Sequence, residues 1–451
     1  MGILRKAGLV LSIWLLLAAA SPAQSVRAAQ GEADAGPMSD GQAWAVHGQF
    51  TYVEQDDSNF HVPYSGANSL QPGRGKETTD LDIWVGAALW SGAEVWIDPQ
   101  LDQGFGLSDT LGVAGFPSGE AYKVGSNAPY LRLQRLFVRD SIDSAGERTP
   151  VQPAAMWLGR QQSANRWVIT LGKFAVTDVF DNNQYAHDPR ADFLNWTAID
   201  GGAFDYAADA WGFTLGVAIE RYQGPWTVRL GVFDLSNVPN SVHLEPGLHE
   251  FQILTEIEHR HAIGAHDGKL MLTAFESRGR MGLLDQAMAL AQSTDTPVNI
   301  AAVRRYRGRL GGVFNLEQEL TESLGLFARY SKAAGNVEPY EFTDVDRSLE
   351  VGASLKGAAW RRGDDTLGLT LIDNGISAER EQYLGAGGLG ILIGDGKLPH
   401  PAAELILESY YSVAVLAHLA VSLDYQYVDH PAYNRDRGPV SLLAVRLHAQ
   451  F

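Results

Sequence analysis

Hydrophobic and polar residues alternate along most of this chain with a period of two, and the pattern continues to the last residue. Such alternation places successive side chains on opposite faces of a β-strand, whereas a helical pattern would repeat every 3.6 residues. Leu81 and Ile83, for example, alternate with Asp80 and Asp82, and the final run ends on Phe451. The chain is therefore predicted to consist mainly of β-strands.

About sixteen such runs follow one another, each close to the 9–11 residues or so that a tilted strand needs to cross a bilayer. Their connections alternate between very short and long, which is typical of outer-membrane barrels with tight periplasmic turns and long extracellular loops. The predicted fold class is all-β, a transmembrane antiparallel β-barrel of about 16 strands, with one short amphipathic helix at 281–292. The predicted strands span residues 44–55, 78–90, 93–99, 130–139, 166–174, 211–222, 225–235, 249–261, 268–277, 305–319, 323–333, 346–358, 364–374, 404–417, 418–429 and 439–451.

The apolar faces of the clearest strands carry no charged residue, whereas the opposite faces do. Because a charge on the lipid side of a barrel is costly, we expect the apolar face to meet lipid and the polar face to line a lumen. Val217 and Leu443 are thus predicted to face lipid. Several aromatic residues near strand ends fit either an interfacial girdle or ordinary β-propensity, namely Trp44, Trp90, Trp211, Trp226, Tyr425 and Tyr427.

The first residues read as an export signal. Arg5 and Lys6 precede an apolar run that is too short to span a bilayer, and small residues follow it. Residues 1–28 are predicted to be a cleaved signal peptide, 29–43 a flexible lead-in and 44–451 the barrel domain. An N-terminal membrane anchor is the alternative for the first segment.

Composition excludes several functions. The formal charge is −18, and loss of the three positive residues of the signal peptide would make it −21, which argues against nucleic-acid binding. The chain has no cysteine. Its one G-x-G-x-x-G, at 385–390, lacks the strand and helix of a dinucleotide site, and no hydrolase or metalloprotease motif is present. We therefore expect neither an enzyme nor a cofactor or metal.

Charges of both signs and tryptophans fall on the predicted lumen faces. Pores select by diameter, hydrogen-bonding groups and fixed charge, and a wall of mixed sign suits neutral polyols, whose rings can also stack on aromatic side chains. Because these positions are predicted to be wet, truncating one of the arginines should cost little folding stability. The candidate pore-lining residues are Trp84, Trp96, Arg132, Arg166, Glu220, Arg229, Glu256 and Glu258, with Arg329 and Glu350 as further candidates.

Several stretches resemble the carbohydrate-selective porin family of OprB type. The most specific is Asp188-Pro189-Arg190 followed by Phe193-Leu194-Asn195-Trp196. The others are 63–70, 171–173, 178–183, 425–427, 434–440 and the terminal Phe451. The resemblance implies a sixteen-stranded barrel in the outer membrane, diffusion of glucose and related sugars through a constriction with arginine and glutamate, and a segment 175–210 folded inward. Asp188, Pro189, Arg190, Asn195 and Trp196 would form the motif of that inward loop.

The sequence thus predicts a passive sugar pore in the outer membrane. Its expected partners are outer-membrane lipid, small sugars and, through the last strand ending at Phe451, the β-barrel assembly machinery. The acidic charge favours one alternative, a general and weakly cation-leaning porin without sugar selectivity. A structural barrel with a plugged lumen is a third possibility.

Overall fold

The computed structural model describes residues 41–73 and 75–451, so the predicted signal peptide and most of the predicted lead-in lie outside the described residues. Within the described part, sixteen antiparallel strands form one closed barrel in sequence order, and β1 pairs with β16 to shut it. The prediction of a sixteen-stranded antiparallel barrel is confirmed. The strands are β1 Trp44–Asp57, β2 Lys76–Trp90, β3 Ala93–Gly104, β4 Ser126–Val151, β5 Arg160–Phe174, β6 Thr214–Gln223, β7 Trp226–Asp234, β8 Phe251–Ile263, β9 His266–Met281, β10 Arg305–Thr321, β11 Leu324–Ala333, β12 Arg347–Gly357, β13 Arg362–Gly375, β14 Glu404–Leu416, β15 Leu419–Asp429 and β16 Val440–Gln450.

The two faces of each strand differ as the alternation requires. On β2, Ile83 and Val85 are 39% and 40% exposed, whereas Asp82 and Trp84 are 0% and 6% exposed. On β16, Leu443 is 63% exposed. The outer faces of these strands are therefore apolar, as a lipid-facing surface requires, and their charged side chains point into the barrel.

Strand connections are short at one end of the barrel and long at the other. Two-residue turns join β2 to β3 and β6 to β7, whereas the opposite end carries long segments such as 175–213 and 376–403. Short turns mark the periplasmic end of such barrels. One periplasmic connection departs from the rule, because β4 and β5 extend well past their neighbours and are joined by residues 152–159. The predicted strand 130–139 was therefore too short.

In the described part of the chain, three α-helices lie in the long connections: α1 Trp196–Ile199, α2 Leu284–Thr294 and α3 Ala378–Gly385. The amphipathic segment predicted at 281–292 corresponds to α2, which buries Leu284, Ala287 and Ala291 and contacts α3. Among the described residues, no helix combines the length and apolar character needed to cross a bilayer.

Much of the buried apolar core lies inside the barrel. We call residues 175–213, between β5 and β6, the inward loop, because their side chains pack against the inner faces of strands on several sides. Phe180 packs on Phe233 of β7, and Phe193 packs on Phe327 of β11 and Tyr410 of β14. Glycines on the inner wall make room for these rings: a Cβ at Gly231 would approach the ring of Phe180 to 2.9 Å. The lumen is thus largely filled by the chain itself.

Candidate functional site

The inward loop is held in the lumen by charged side chains of the wall. Its backbone forms little regular structure, so its buried N–H and C=O groups need partners from elsewhere. Arg446 of β16 donates to the carbonyl oxygens of Pro189 at 2.6 Å, Ala191 at 2.9 Å and Asp192 at 2.7 Å. Glu408 of β14 accepts from the backbone N–H of Asn195 at 3.1 Å. The wall therefore fixes the loop by its main chain.

Charged side chains on the opposite side of the wall also form hydrogen bonds with the inward loop. Arg329 of β11 donates to the carbonyl oxygens of Ala186 at 2.7 Å and Ala198 at 2.9 Å. Glu256 of β8 accepts from the N–H of Asp181 at 2.8 Å. Contacts on β8, β11, β14 and β16 show that the loop crosses the lumen from one wall to the other.

Arg190 is the charged centre of the loop motif. Its guanidinium lies 3.2 Å from Asp80, 3.7 Å from Asp82, 3.4 Å from Glu120 and 3.8 Å from Asp188. Burial disfavours ionisation of Asp188, but the nearby positive charge of Arg190 and a backbone N–H hold the pKa of Asp188 below its ordinary value. One cation thus faces four carboxylates from the wall, from the 105–125 connection and from the loop itself.

Next to Arg190 in the loop motif, Asn195 and Trp196 fix the short helix α1 and a cluster of aromatic rings. The side chain of Asn195 caps α1 by accepting from the N–H of Thr197 at 3.0 Å. Its amide also donates to the carbonyl of Gly115 at 2.8 Å, which ties the loop to the connection between β3 and β4. Trp196 stacks on Phe116 with ring centroids 5.4 Å apart and meets Phe342 edge-on at 5.0 Å. The short helix therefore presents a fixed aromatic cluster.

A cavity of about 400 Å³ lies between the wall, the inward loop, the 105–125 connection and the tip of the β4–β5 connection. Its lining combines aromatic faces with charges of both signs, the chemistry that holds polar rings by stacking and hydrogen bonds. Aromatic lining residues include Trp84, Phe116, Tyr122, Trp157, Trp196, Trp211 and Phe213, and charged ones include Glu120, Lys123, Arg135, Arg139, Asp178, Asp188, Arg190, Asp200 and Asp209.

The cavity gathers only some of the residues singled out from the sequence. Trp84, Asp188, Pro189, Arg190 and Trp196 line it. Asn195 is fully buried beside it.

Three other candidates take different positions. Arg132 borders the cavity residues, with its guanidinium 3.3 Å from the ring centre of Trp211 and 3.5 Å from Asp209. Trp96 is 1% exposed and fills the space above Gly86 in the wall, outside the cavity lining. Arg166 lies 3.7 Å from the ring centre of Tyr222.

The remaining four candidates form one ion-pair cluster on the wall. Arg229 contacts Glu220 at 2.9 Å, Glu256 at 2.6 Å and Glu258 at 2.8 Å. All four side chains are less than a tenth exposed. Tyr222 donates to Glu220 at 2.7 Å and joins Arg166 to the group. The expectation that Arg229 is wet was wrong, because the packed lumen excludes water there. Contact of these groups with a passing solute stays a prediction.

Sequence reasoning missed Arg135 and Arg139 of β4. Strict alternation from Arg132 would turn both outward. The pairing of β3 with β4 shifts register between Asp98 and Pro99, and this irregularity moves Arg135 to the inner face. Pro99 has no N–H to continue the ladder, which is the one signal in the sequence. Arg135 then forms a bidentate pair with Asp178 of the inward loop, at 2.8 Å for each nitrogen.

Trp211 was also misplaced by the sequence pattern. It precedes β6 and lies in the cavity lining, stacked under Arg132, and not in an outer girdle. The other aromatic residues of the predicted girdle are at least a third exposed on the outside of the barrel, namely Trp44, Trp90, Trp226, Tyr425 and Tyr427.

Over residues 67–451 the sequence matches the family described as carbohydrate-selective porin, OprB family. The chain belongs to this family. The high-pH structure of Pseudomonas putida OprB is similar to this OprB-family porin with a TM-score of 0.67 and 14% identity, over 91% of this chain and 94% of that chain. The outer membrane channel DcaP of Acinetobacter baumannii gives a TM-score of 0.49 and 10% identity, over 90% and 97% of the two chains. Curated proteins gave no match to the sequence.

Membership and fold agree on the class of protein. The family match and the sixteen-stranded barrel identify a porin of the outer membrane, which is surrounded by lipid and passes small solutes.

Proposed function

We propose that this OprB-family porin passes neutral carbohydrates, glucose and related sugars, by diffusion into the periplasm. The observation that carries the proposal is the lining of the central cavity, where charges of both signs alternate with aromatic faces. Carboxylates accept and guanidinium groups donate hydrogen bonds to hydroxyls, whereas a wall of one sign would favour ions.

The pair of Arg132 and Trp211 is the best candidate for sugar contact. The guanidinium covers one face of the indole at 3.3 Å, and Arg132 retains 29% side-chain exposure. Trp211 also donates to the hydroxyl of Tyr130 at 3.1 Å, which fixes the ring. A fixed aromatic ring beside an accessible donor suits a passing pyranose.

Sugar-titrated conductance tests the proposal. Glucose added to a bilayer that holds single channels in KCl should lower the current in proportion to occupancy, and liposomes with the porin should swell in glucose. Trp211→Ala should weaken the block by glucose about fivefold, since ring stacking of this kind contributes on the order of 1 kcal/mol. Trp167→Ala, a matched tryptophan on the lipid side of β5, should leave it unchanged. Glucose entry no faster than in protein-free liposomes would refute the proposal.

The weakly cation-leaning porin is the second candidate, supported by the four carboxylates around Arg190 and the acidic total charge. It requires a reversal potential that favours cations and a current that sugars do not reduce. A current blocked by glucose decides against it.

Export and assembly complete the proposal. We propose that residues 1–28 are removed on export and that the last strand, ending at Phe451, engages the β-barrel assembly machinery. Phe451 exchanges backbone hydrogen bonds with Gly48 of β1 at 2.7 and 2.9 Å, so the same residue also closes the barrel. Mass determination of the outer-membrane form tests the cleavage, and deletion of Phe451 should lower its yield in cells. A full-length mass for the protein in the membrane would contradict cleavage of residues 1–28. An undiminished yield of the protein lacking Phe451 would contradict the role of the last strand in assembly.

A further inference from the structure

The β4–β5 connection forms a projection that the other periplasmic turns lack. β4 pairs with β3 only as far as Asp140, which lies opposite Ala93. Beyond that point it continues paired with β5 alone, ending with Val151 opposite Arg160. We call residues 141–165 the hook.

The hook bends back toward the barrel. Its pairing shifts register twice, on either side of Ala145. Arg160 lies opposite Val151, yet its guanidinium donates to Ser141 at the base of the hook at 2.8 Å and to the carbonyl of Gly92 on the barrel rim at 2.8 Å. A straight ribbon would place Val151 about 30 Å from Ser141, so the ribbon is folded over. Its tip returns to the periplasmic mouth.

The tip is anchored inside the mouth by a buried charge pair. Glu94 of β3 is fully buried and accepts from the N–H of Leu158 at 3.0 Å and from Arg139 at 3.0 Å. Arg139 also donates to the carbonyl of Met156 at 2.7 Å and covers the ring of Trp157 at 3.8 Å. Met156 and Trp157 both line the central cavity.

The chain that precedes β1 adds a second hold. Gln42 donates its backbone N–H to the carbonyl of Gly159 at 2.8 Å, and its side-chain oxygen accepts from the N–H of Gly159 at 3.0 Å. Ala43 in turn accepts from the N–H of Ala88 on β2 at 2.8 Å. The hook is therefore fixed to both the wall and the N-terminal segment.

We propose that the hook is a second constriction, on the periplasmic side of the cavity, and that Trp157 sets the size limit for solutes leaving it. The inward loop bounds the cavity from the other side, so solutes cross a chamber restricted at both ends. The inference rests on the proposed role as a diffusion pore, but it does not depend on which solute is preferred.

Channel size, measured with ions and inert polymers, tests the hook. Trp157→Ala should raise the KCl conductance about twofold and admit larger polyethylene glycols from the hook side, because conduction follows pore diameter. Trp167→Ala, in the same hairpin but on the lipid side, is the matched control and should keep the wild-type conductance. Heat-modifiable mobility on gels shows that each variant is folded.

A disulfide lock provides an independent test in a chain without cysteine. A Cβ at Gly41 would lie 3.4 Å from the Cβ of Arg160, close to the spacing of disulfides. In the Gly41→Cys/Arg160→Cys variant, the oxidised channel should conduct like the wild type, because the disulfide holds the hook in place. Reduction should raise the conductance, because the hook then has neither the disulfide nor the hydrogen bonds of Arg160. Unchanged conductance and polymer cut-off in Trp157→Ala and in the reduced double variant would overturn the inference. If these change while wild-type liposomes admit no glucose, only the proposed sugar function fails.

Discussion

Buried arginines of the lumen act mainly on other parts of the chain. Arg229 lies among Glu220, Glu256 and Glu258, and Arg329 and Arg446 donate to loop carbonyls. A buried cation with several partners is costly to remove because its partners are left charged and unpaired. The main role of these buried arginines is therefore to stabilise the fold of the lumen, and not to select solutes.

Arg229→Ala should destabilise the folded barrel. Removal of the guanidinium leaves three buried glutamates close together, and breaking such a buried pair costs about 3–5 kcal/mol. Arg280→Ala removes an arginine whose side chain is 66% exposed, and should cost less than about 1 kcal/mol. Unfolding of the two variants by guanidinium chloride in detergent measures the difference in the free energy of unfolding. Equal midpoints would show that the cluster does not act as a buried network.

Asp200, at the end of α1, should give the porin a pH response. Burial, followed by the negative charge of Asp181, raises the pKa of Asp200 from 3.8 to about 8. His187 lies 3.7 Å away, and Arg329 opposes the shift without cancelling it. The folded state binds this proton more tightly than the unfolded chain, so the stability it contributes is complete below about pH 4 and is lost as pH rises through about 8.

Ionised Asp200 also adds a negative charge to the cavity lining. Cation preference, read from reversal potentials, should therefore increase as the pH passes about 8, and Asp200→Asn should abolish that step. A step of equal size in the Asn variant would assign it to another group.

At the level of elements, the inward loop depends on contacts with distant strands. Arg446 alone serves three carbonyls between Pro189 and Asp192. Arg446→Ala should loosen this part of the loop while the β15–β16–β1 pairing stays intact, because none of those ladder hydrogen bonds involves the side chain. The expected result is a larger and noisier single-channel current with unchanged heat-modifiable mobility. Leu447→Ala, the outward neighbour, is the control, and a wild-type current from Arg446→Ala would contradict the anchoring role.

The irregular β3–β4 pairing shows how one residue type alters an element. Pro99 interrupts the ladder, and the resulting shift brings Arg135 and Arg139 to the inner face. Both then hold loops, Arg135 at Asp178 and Arg139 at the hook. A single local irregularity therefore positions the anchors of two separate segments.

For the whole molecule, the lipid-facing surface must stay free of charge. Leu443 is 63% exposed on the outside of β16. Leu443→Arg should impair insertion, because an arginine on the lipid-facing side of a strand costs up to about 2–4 kcal/mol at mid-bilayer and less toward the interface. The yield of heat-modifiable protein after refolding into vesicles measures this, with Leu443→Ile as the control. Normal yield from the Arg variant would mean that the outward face of β16 is wrongly assigned.

The sequence by itself determined the closed barrel and, for most strands, the side that meets lipid. Both follow from a period of two, since a strand has only two faces and an unpaired edge cannot exist in lipid. The short motif at Asp188-Pro189-Arg190 likewise indicated the family, because a run of adjacent residues can be matched without knowing what packs around it.

Only the tertiary structure decided what fills the lumen. Whether Arg229 is wet, whether Trp211 faces lipid or the cavity, and where the β4–β5 connection ends all depend on residues far away along the chain. Alternation records which face a side chain occupies, but it carries no information on what packs against that face. Burial of the ion-pair cluster, the cavity and the hook therefore arise from long-range packing that no local pattern encodes.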